Sequence, residues 1–252
     1  MRPLRILLAG IEPHTAVDEA MRIMQQQRIK DEIPDTLILV QHPEVVTLGP
    51  KAKRDGALED PALDDYSTTI VDRGGGMTYH GPGQLVGYPI IKWQQDEQSV
   101  RSIINRIEDW VMAALADCGI EGYRDERMMG VWLEDRKICS IGLAFKHWVS
   151  RHGLAINYNT NEGRIEALTC CGLDAGTTTS LAAVGHTHDL EGRLLDRSRR
   201  PLPRSLLPLL VTARRSLISR TKSPRDGAPR SSSTISAGIL IISLSLYLAN
   251  HL

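Results

Sequence analysis

The seventeen residues from Arg73 to Pro89, Arg-Gly-Gly-Gly-Met-Thr-Tyr-His-Gly-Pro-Gly-Gln-Leu-Val-Gly-Tyr-Pro, hold six glycines and two prolines. Such a stretch cannot serve a packed helix, where proline removes a donor and each glycine costs roughly 1 kcal/mol. Glycine supplies backbone that bends freely and that a ligand can approach without meeting a side chain. The segment therefore reads as a loop laid along a ligand. It carries neither G-x-x-x-x-G-K-[ST] nor G-x-G-x-x-G at a strand-to-helix junction, which discounts nucleotide binding.

Hydrophobic periodicity gives the surroundings. Residues 14–28 place Val17, Ala20, Met21 and Met24 at helical spacing, a first helix. Ser99 to Cys118 is the clearest helix, with Val100, Ile103, Ile104, Ile107, Trp110, Val111, Ala114, Leu115 and Cys118 in one apolar stripe, stopped by Gly119 and Gly122. Strands are expected at Thr36 to Val40, Ser67 to Val71, Gln84 to Lys92, Gly130 to Glu134, Lys137 to Phe145 and Gly153 to Tyr158, with a turn at Glu134-Asp135-Arg136. Successive strands with helices interspersed predict an α/β (α+β) fold, a mixed sheet with helices packed on it.

The formal charge of zero is a cancellation. Residues 197–252 hold ten of the 30 Lys+Arg but one of the 30 Asp+Glu, leaving that tail at +9 and the remainder at −9. The chain is accordingly divided into a domain over residues 1–192 and a basic, Pro-, Ser- and Arg-rich tail over residues 193–252. The tail ends in an uncharged apolar run from Ile235 to Ala249, short of the roughly 20 residues a spanning helix needs, so no stable membrane insertion is expected. It is open to three readings: a basic linker with a membrane-seeking tip, a partner-binding tail, or an aberrant C-terminus in place of a closing helix. Cys118, Cys139, Cys170 and Cys171 lack the spacing of a disulfide framework, and the run Ile6 to Ile11 is too short for a secretory signal, so a cytoplasmic chain with free thiols is expected.

Cys171 precedes Gly172 in a polar stretch, where a side chain can be exposed, and a nucleophilic cysteine needs the thiolate that a nearby ammonium favours. Lys137, opening the apolar run Ile138 to Leu143, is the candidate ammonium, and its depressed basicity in a partly desolvated site would let it pass protons near neutral pH. Set against this, a lysine that opens a strand is ordinarily a solvated edge charge. Cys118 belongs to the helix stripe and Cys139 alternates with packing residues, so both read as buried and inert. His42, His80 and His152 are candidate polar anchors if a sheet converges them on one cleft. A zinc site from Cys170, Cys171, His186 and His188 is argued against by its spacing, since adjacent cysteines rarely chelate one tetrahedral ion.

Taken together, Gln41-His42-Pro43 with Thr47-Leu48-Gly49, Arg73-Gly-Gly through Tyr79-His80-Gly-Pro-Gly-Gln-Leu, Gly130-Val131-Trp132, Lys137-Ile138 with Ile141-Gly142, His152 to Asn157, Cys171-Gly172 and Thr179-Ser180-Leu181 resemble the lipoate-biosynthetic octanoyltransferases. The resemblance runs from about Arg5 to Gly185. It implies a mixed-sheet sandwich of the biotin/lipoate protein ligase catalytic-domain type and transfer of an octanoyl group from octanoyl-acyl carrier protein to a lysine of lipoyl domains. The acceptors implied are those of 2-oxoacid dehydrogenases and the glycine-cleavage H protein. No ATP, other cofactor, metal or nucleic acid is implied, because the acyl group arrives already activated as a thioester. Carried over residue by residue, Cys171 would be the nucleophile and Lys137 its activator. Arg73, Gly74, Gly75, Gly76, Met77, Thr78, Tyr79 and His80 would line the substrate site with Ser140, Ile141, Gly142, Gly153, Leu154 and Ala155. The chain departs from the family pattern at Cys170, where proline ordinarily precedes the nucleophile, and in its tail. An ATP-dependent lipoate ligase or a lipoyl-domain amidotransferase is the alternative on the same fold, and a degenerate carrier- or metal-binding domain is the alternative without catalysis.

Overall fold

The computed structural model describes residues 3–54, 61–161, 163–168 and 175–186. The 193–252 tail, Cys170, Cys171 and His188 lie outside the described residues. Ten strands and three α-helices are described: β1 (Leu4–Ile11), α1 (His14–Ile29), β2 (Asp35–Gln41), β3 (Val45–Leu48), α2 (Pro50–Arg54), β4 (Thr68–Ile70), β5 (Met77–His80), β6 (Gln84–Ile90), α3 (Val100–Asp117), β7 (Tyr123–Asp125), β8 (Met128–Leu133), β9 (Arg136–Lys146) and β10 (Val149–Asn157). Seven form a sheet in the order β1-β2-β6-β10-β9-β8-β7, and three form a smaller one in the order β4-β3-β5. The large sheet is antiparallel except for β1 beside β2, and β4 runs parallel to β3.

Strand alternation sorts the large sheet into two cores. Leu37 and Leu39 of β2 join the core under α3, while Ile38 and Val40 join the core under α1. Being buried on both faces, β2 reads as an unbroken apolar run rather than an alternating one. From Ile103 onward the stripe of α3 is buried as its spacing predicts, while Val100 in the first turn is exposed, and the helix is capped by Ser99, whose hydroxyl oxygen accepts from the Ser102 N–H at 3.3 Å. It ends at Cys118, followed by Gly119 with φ of 76°. Burying eight or nine side chains of one helix against a sheet, at roughly 25 cal/mol per Å² of apolar surface, makes this contact a principal source of stability.

Three of the differences from the sequence expectation shape the two sheets. The Ile6 to Ile11 run belongs to edge strand β1, which completes the sheet. Val45–Leu48, unassigned from sequence, is the central strand of the small sheet. The glycine-rich segment is not one loop: Met77–His80 is β5, hydrogen-bonded to β3, so the loop proper is Arg73 to Gly76. Strand pairing through Thr47–Thr78 and Val45–His80 satisfies backbone groups that a bare loop would leave to solvent.

Candidate active site

A cavity of ≈ 280 Å³ opens on the α1 face of the large sheet, close to the lower end of the roughly 300–1,000 Å³ usual for small-molecule sites. Its floor is β9 and β10, where Gly142 pairs with Gly153 and Ser140 with Ala155. Its roof is the Arg73 to Gly75 loop, which lies directly on the floor: the Gly74 N–H donates to the Leu143 carbonyl at 2.9 Å, and a Cβ on Gly142 would sit 2.9 Å from the Gly74 carbonyl oxygen. Glycine at 142 is thus a requirement of the close approach between two backbones.

Lys137 reaches this cavity because β9 carries a bulge. Gly130 pairs with Ser140 and Val131 with Cys139, but Trp132 pairs with Lys137, which inserts Ile138 as an extra residue. Adjacent Ile138 and Cys139 are therefore both buried in the core under α3. A strict alternation would send Lys137 the same way as Cys139; the inserted residue returns it to the face of Ser140 and Gly142, where it lines the cavity. Lys137 is 4% exposed. Gly130 leaves room for its stem: with φ of 131°, a Cβ there would lie 2.7 Å from Lys137 Cε. The segment after Ala175 straps this end of β9, with the Lys137 N–H donating to the Thr177 carbonyl at 2.8 Å and the Thr179 N–H to the Lys137 carbonyl at 3.0 Å.

The inner end of the cavity is walled by His14, His80, Tyr88 and His152, each at most 5% exposed. Burial lowers all three histidines from their ordinary value, His80 well below it and His14 to about 4, so the wall is uncharged at neutral pH. Behind them His42 donates from Nδ1 to the Glu12 carbonyl at 2.7 Å, which leaves Nε2 to accept from the Tyr88 hydroxyl at 2.8 Å. In the same manner His80 donates from Nδ1 to Gln84 Oε1 at 2.7 Å, an orientation fixed because the Gln84 amide nitrogen donates to the Tyr79 carbonyl and to Asn157 Oδ1. The Arg73 guanidinium donates to the Thr47 carbonyl at 2.9 Å and to its hydroxyl oxygen at 2.8 Å, tying the roof to the small sheet. His152, at φ of 59°, is held by Asp72 Oδ1 at 2.9 Å, and Arg151 pairs with both Asp72 and Asp18, so the entry to the roof loop is pinned to β10. For Asp72 burial works against ionisation, but His152 and Arg151 outweigh it and hold the carboxyl below its ordinary range.

Of the expected site residues, Arg73, Gly74, Gly75, Thr78, His80, Lys137, Ser140, Ile141, Gly142, His152, Gly153, Leu154 and Ala155 line this one cavity. Gly76, Met77, Tyr79 and His42 do not. Strand β5 alternates, so while Thr78 and His80 face the cavity, Met77 and Tyr79 point into the core of the small sheet, where the Tyr79 hydroxyl donates to Glu44 at 3.1 Å. His42 stands in a second layer, supporting Tyr88. His14, Tyr88, Met128 and Met129 line the cavity without having been anticipated; the Gly-Tyr88-Pro sequence was the one available signal, as part of the glycine-rich stretch. Cys118 and Cys139 are buried as expected, and burial, only partly offset by Lys137, pushes the Cys139 thiol up to about 12. Among the described residues no group of three or more His, Cys, Asp or Glu is arranged to hold a metal ion, and no helix is long and apolar enough to cross a membrane.

Comparison with known proteins fixes the lineage. The model of the lipoyl protein ligase A/B catalytic domain matches residues 14–191. The chain belongs to that family. Within it, an octanoyltransferase of Rubrobacter xylanophilus is 40% identical over 181 residues, covering 69% of this chain and 80% of that protein. An octanoyltransferase of Chloroflexus aggregans is 39% identical over 188 residues, covering 72% and 85%. The chain is an acyltransferase of the octanoyltransferase type, an enzyme of lipoate biosynthesis. Solved structures agree on the fold: the bipartite lipoate protein ligase of Thermoplasma acidophilum matches with a TM-score of 0.55 at 15% identity over 99% of this chain and 85% of that one. A lipoate-protein ligase A bound with ATP matches with a TM-score of 0.53 at 11% identity over 97% and 95%.

Proposed function

We propose that the chain moves an octanoyl group from octanoyl-acyl carrier protein to the target lysine of lipoyl domains, those of 2-oxoacid dehydrogenases and the glycine-cleavage H protein, through a thioester on Cys171. The Cys171 thiolate attacks the carbonyl carbon of the carrier thioester. The carbon–sulfur bond to the carrier breaks, and the carrier thiolate leaves with a proton from the Lys137 ammonium. The acceptor amine then attacks the acyl-enzyme, its proton passes to the Lys137 amine, and the Cys171 thiolate is regenerated. The acyl chain lies in the cavity alongside the line where the Arg73 to Gly75 loop closes on Gly142.

The observation that carries this reading is Lys137, a buried amine turned by a bulge into a cavity whose inner ring wall is uncharged and whose other cations are Arg73, tied to Thr47, and Lys51 at the mouth. Thr177, bonded to the Lys137 backbone, follows Cys171 by only six residues, a connection short enough to permit the thiol to approach the amine. The acidic carrier is met on the α2 side, where exposed Lys51 lines the cavity mouth and Arg54 is exposed nearby, whereas Arg124 and Arg127 are engaged with Glu108, Asp109 and Asp125. Among the described residues Cys118 and Cys139 are buried and outside any disulfide, which accords with a cytoplasmic setting.

Incubation with octanoyl-carrier, read by intact-mass spectrometry, should add one octanoyl group that hydroxylamine removes. Cys171→Ser should abolish the adduct and Cys170→Ser retain it. The reverse pattern would sink the assignment.

A further inference from the structure

Helix α3 carries one charge within its buried stripe. Glu108 lies on the ridge of Ile104, Val111 and Leu115 and is 4% exposed. A carboxylate there gives up its water, whereas an apolar side chain would pack against the sheet without that cost, so packing alone does not account for it. Both of its oxygens have partners. Oε1 accepts from the Gly130 N–H at 2.8 Å and Oε2 from Arg124 Nε at 2.7 Å, while Arg124 is also held by the Asn105 carbonyl and by Asp109.

Both bonds fall where the strand ladder is irregular. In the β7–β8 register Asp125 pairs with Met128 and Tyr123 with Trp132, so a single residue of β7, Arg124, stands opposite Met129, Gly130 and Val131 of β8. Gly130 has no paired residue on β7 in that register, and the Glu108 carboxylate supplies an acceptor in its place. On its other side β8 meets the β9 bulge at Ile138 that turns Lys137 into the cavity. Two irregularities thus flank one short stretch of β8. The Lys137 stem rests on that stretch, since a Cβ at Gly130 would lie 2.7 Å from Lys137 Cε and 2.1 Å from the Cys139 carbonyl oxygen. Where Gly130 sits therefore limits how far the lysine can settle toward β8, and Glu108 is the side chain that holds the Gly130 N–H.

We propose that Glu108 is a positioning residue for acyl transfer: by holding the Gly130 N–H it fixes the shelf under the Lys137 stem and so sets where the amine meets the reacting sulfur and carbonyl, an inference that rests on the acyl-transfer reading above. Glu108 itself touches neither substrate nor reacting atoms. Without its carboxylate the stretch between the two bulges loses an anchor and the amine moves with it, and a misplacement of about 1 Å costs on the order of a hundredfold in rate. Glutamine preserves the anchor, because its amide oxygen accepts the same N–H and Arg124, 41% exposed with two other acceptors, can turn away from the amide nitrogen.

The test uses the full-length chain with octanoyl-carrier in single-turnover acylation read by intact mass, and iodoacetamide alkylation of Cys171 against pH read by peptide mapping. Glu108→Ala should lower the maximal acylation rate roughly tenfold to hundredfold while leaving the half-saturating carrier concentration unchanged. It should also move the Cys171 alkylation profile to higher pH, as Lys137→Ala does. Loss of a carboxylate's charge by itself would favour the thiolate, so an upward shift reports the displaced amine. Glu108→Gln and Arg124→Ala, which keep an acceptor for Gly130, should stay within about threefold of the native rate. Should Glu108→Ala show no cooperative urea transition, Glu108→Asp, whose shorter arm draws the carboxylate back from Gly130, takes its place with the same expectation. A folded variant without the anchor that keeps the native rate and thiol profile, or Glu108→Gln as impaired as Glu108→Ala, overturns the inference about Glu108. Native protein that takes up no acyl group, or Lys137→Ala that changes neither readout, overturns instead the transfer reading beneath it.

Discussion

Lowering the pH from 7.5 to 5 should destabilise this protein through its buried ring wall. His14, 5% exposed, has its folded value lowered from 6.5 to about 4, first by burial and then by His42, so between these values the unfolded chain binds a proton that the folded chain refuses. Stability therefore rises with pH across that window and is lost as the pH falls through it. At pH 5 the unfolded state gains about 2 kcal/mol from this one group, at about 1.4 kcal/mol per pH unit below 6.5. His42, His80 and His152 are lowered as well, burial again leading, and add in the same direction. The ionised carboxylates held low by partners, Glu44 by Arg164 and Asp125 by Arg127, also lose their contribution on acidification, but only below about pH 4.5, outside this window. With a urea m-value of about 2 kcal/mol/M, the transition followed by tryptophan fluorescence should move down by at least about 1 M between pH 7.5 and pH 5. His14→Phe should lose about 2 kcal/mol less than native protein over the same interval. An unchanged midpoint, or an equal loss in native and His14→Phe proteins, would refute the argument that these rings are buried uncharged.

Two further expectations follow from the floor and the core. Gly142→Ala puts a Cβ 2.9 Å from the Gly74 carbonyl, so it should lift the roof loop, cost about 1–3 kcal/mol in stability and reduce acyl uptake far more than unfolding explains; uptake at native level in the folded variant would count against this cavity as the acyl site. Cys118 and Cys139 should stay unmodified in folded protein treated with iodoacetamide at pH 8 and react after denaturation, as peptide mapping would read, because one is packed under α3 and the other has its thiol pushed up to about 12.

Much of the scaffold was legible because its signals are local. The α3 stripe, the unbroken apolar run of β2 and the Glu134-Asp135 turn, whose two residues have φ of 49° and 60°, each announce themselves within a few residues. The expected lining of the cavity was largely found, but Met77 and Tyr79 were misdirected. A glycine-rich stretch hides the two-residue period of β5, and that period decides that Thr78 and His80 face the cavity while their neighbours fill the small core. Tyr88 and His14 escaped notice for another reason. Nothing near His14 in sequence marks it, since the rings that bury it, His42 and His80, stand 28 and 66 positions away.

What the sequence determined by itself was the kind of chemistry available: a lysine and a glycine floor on strands, a glycine roof, and a cysteine in a polar stretch, all fixed by residue type and spacing along one chain. Which way Lys137 points was decided only in three dimensions. One inserted residue, Ile138, reverses the face of everything that precedes it in β9, and an insertion is defined only against the partner strand it fails to match. The charge state of the inner wall was likewise settled by tertiary contact, because an imidazole in water titrates near 6.5 and becomes a neutral wall only when α1, β5, β6 and β10 exclude water from it together.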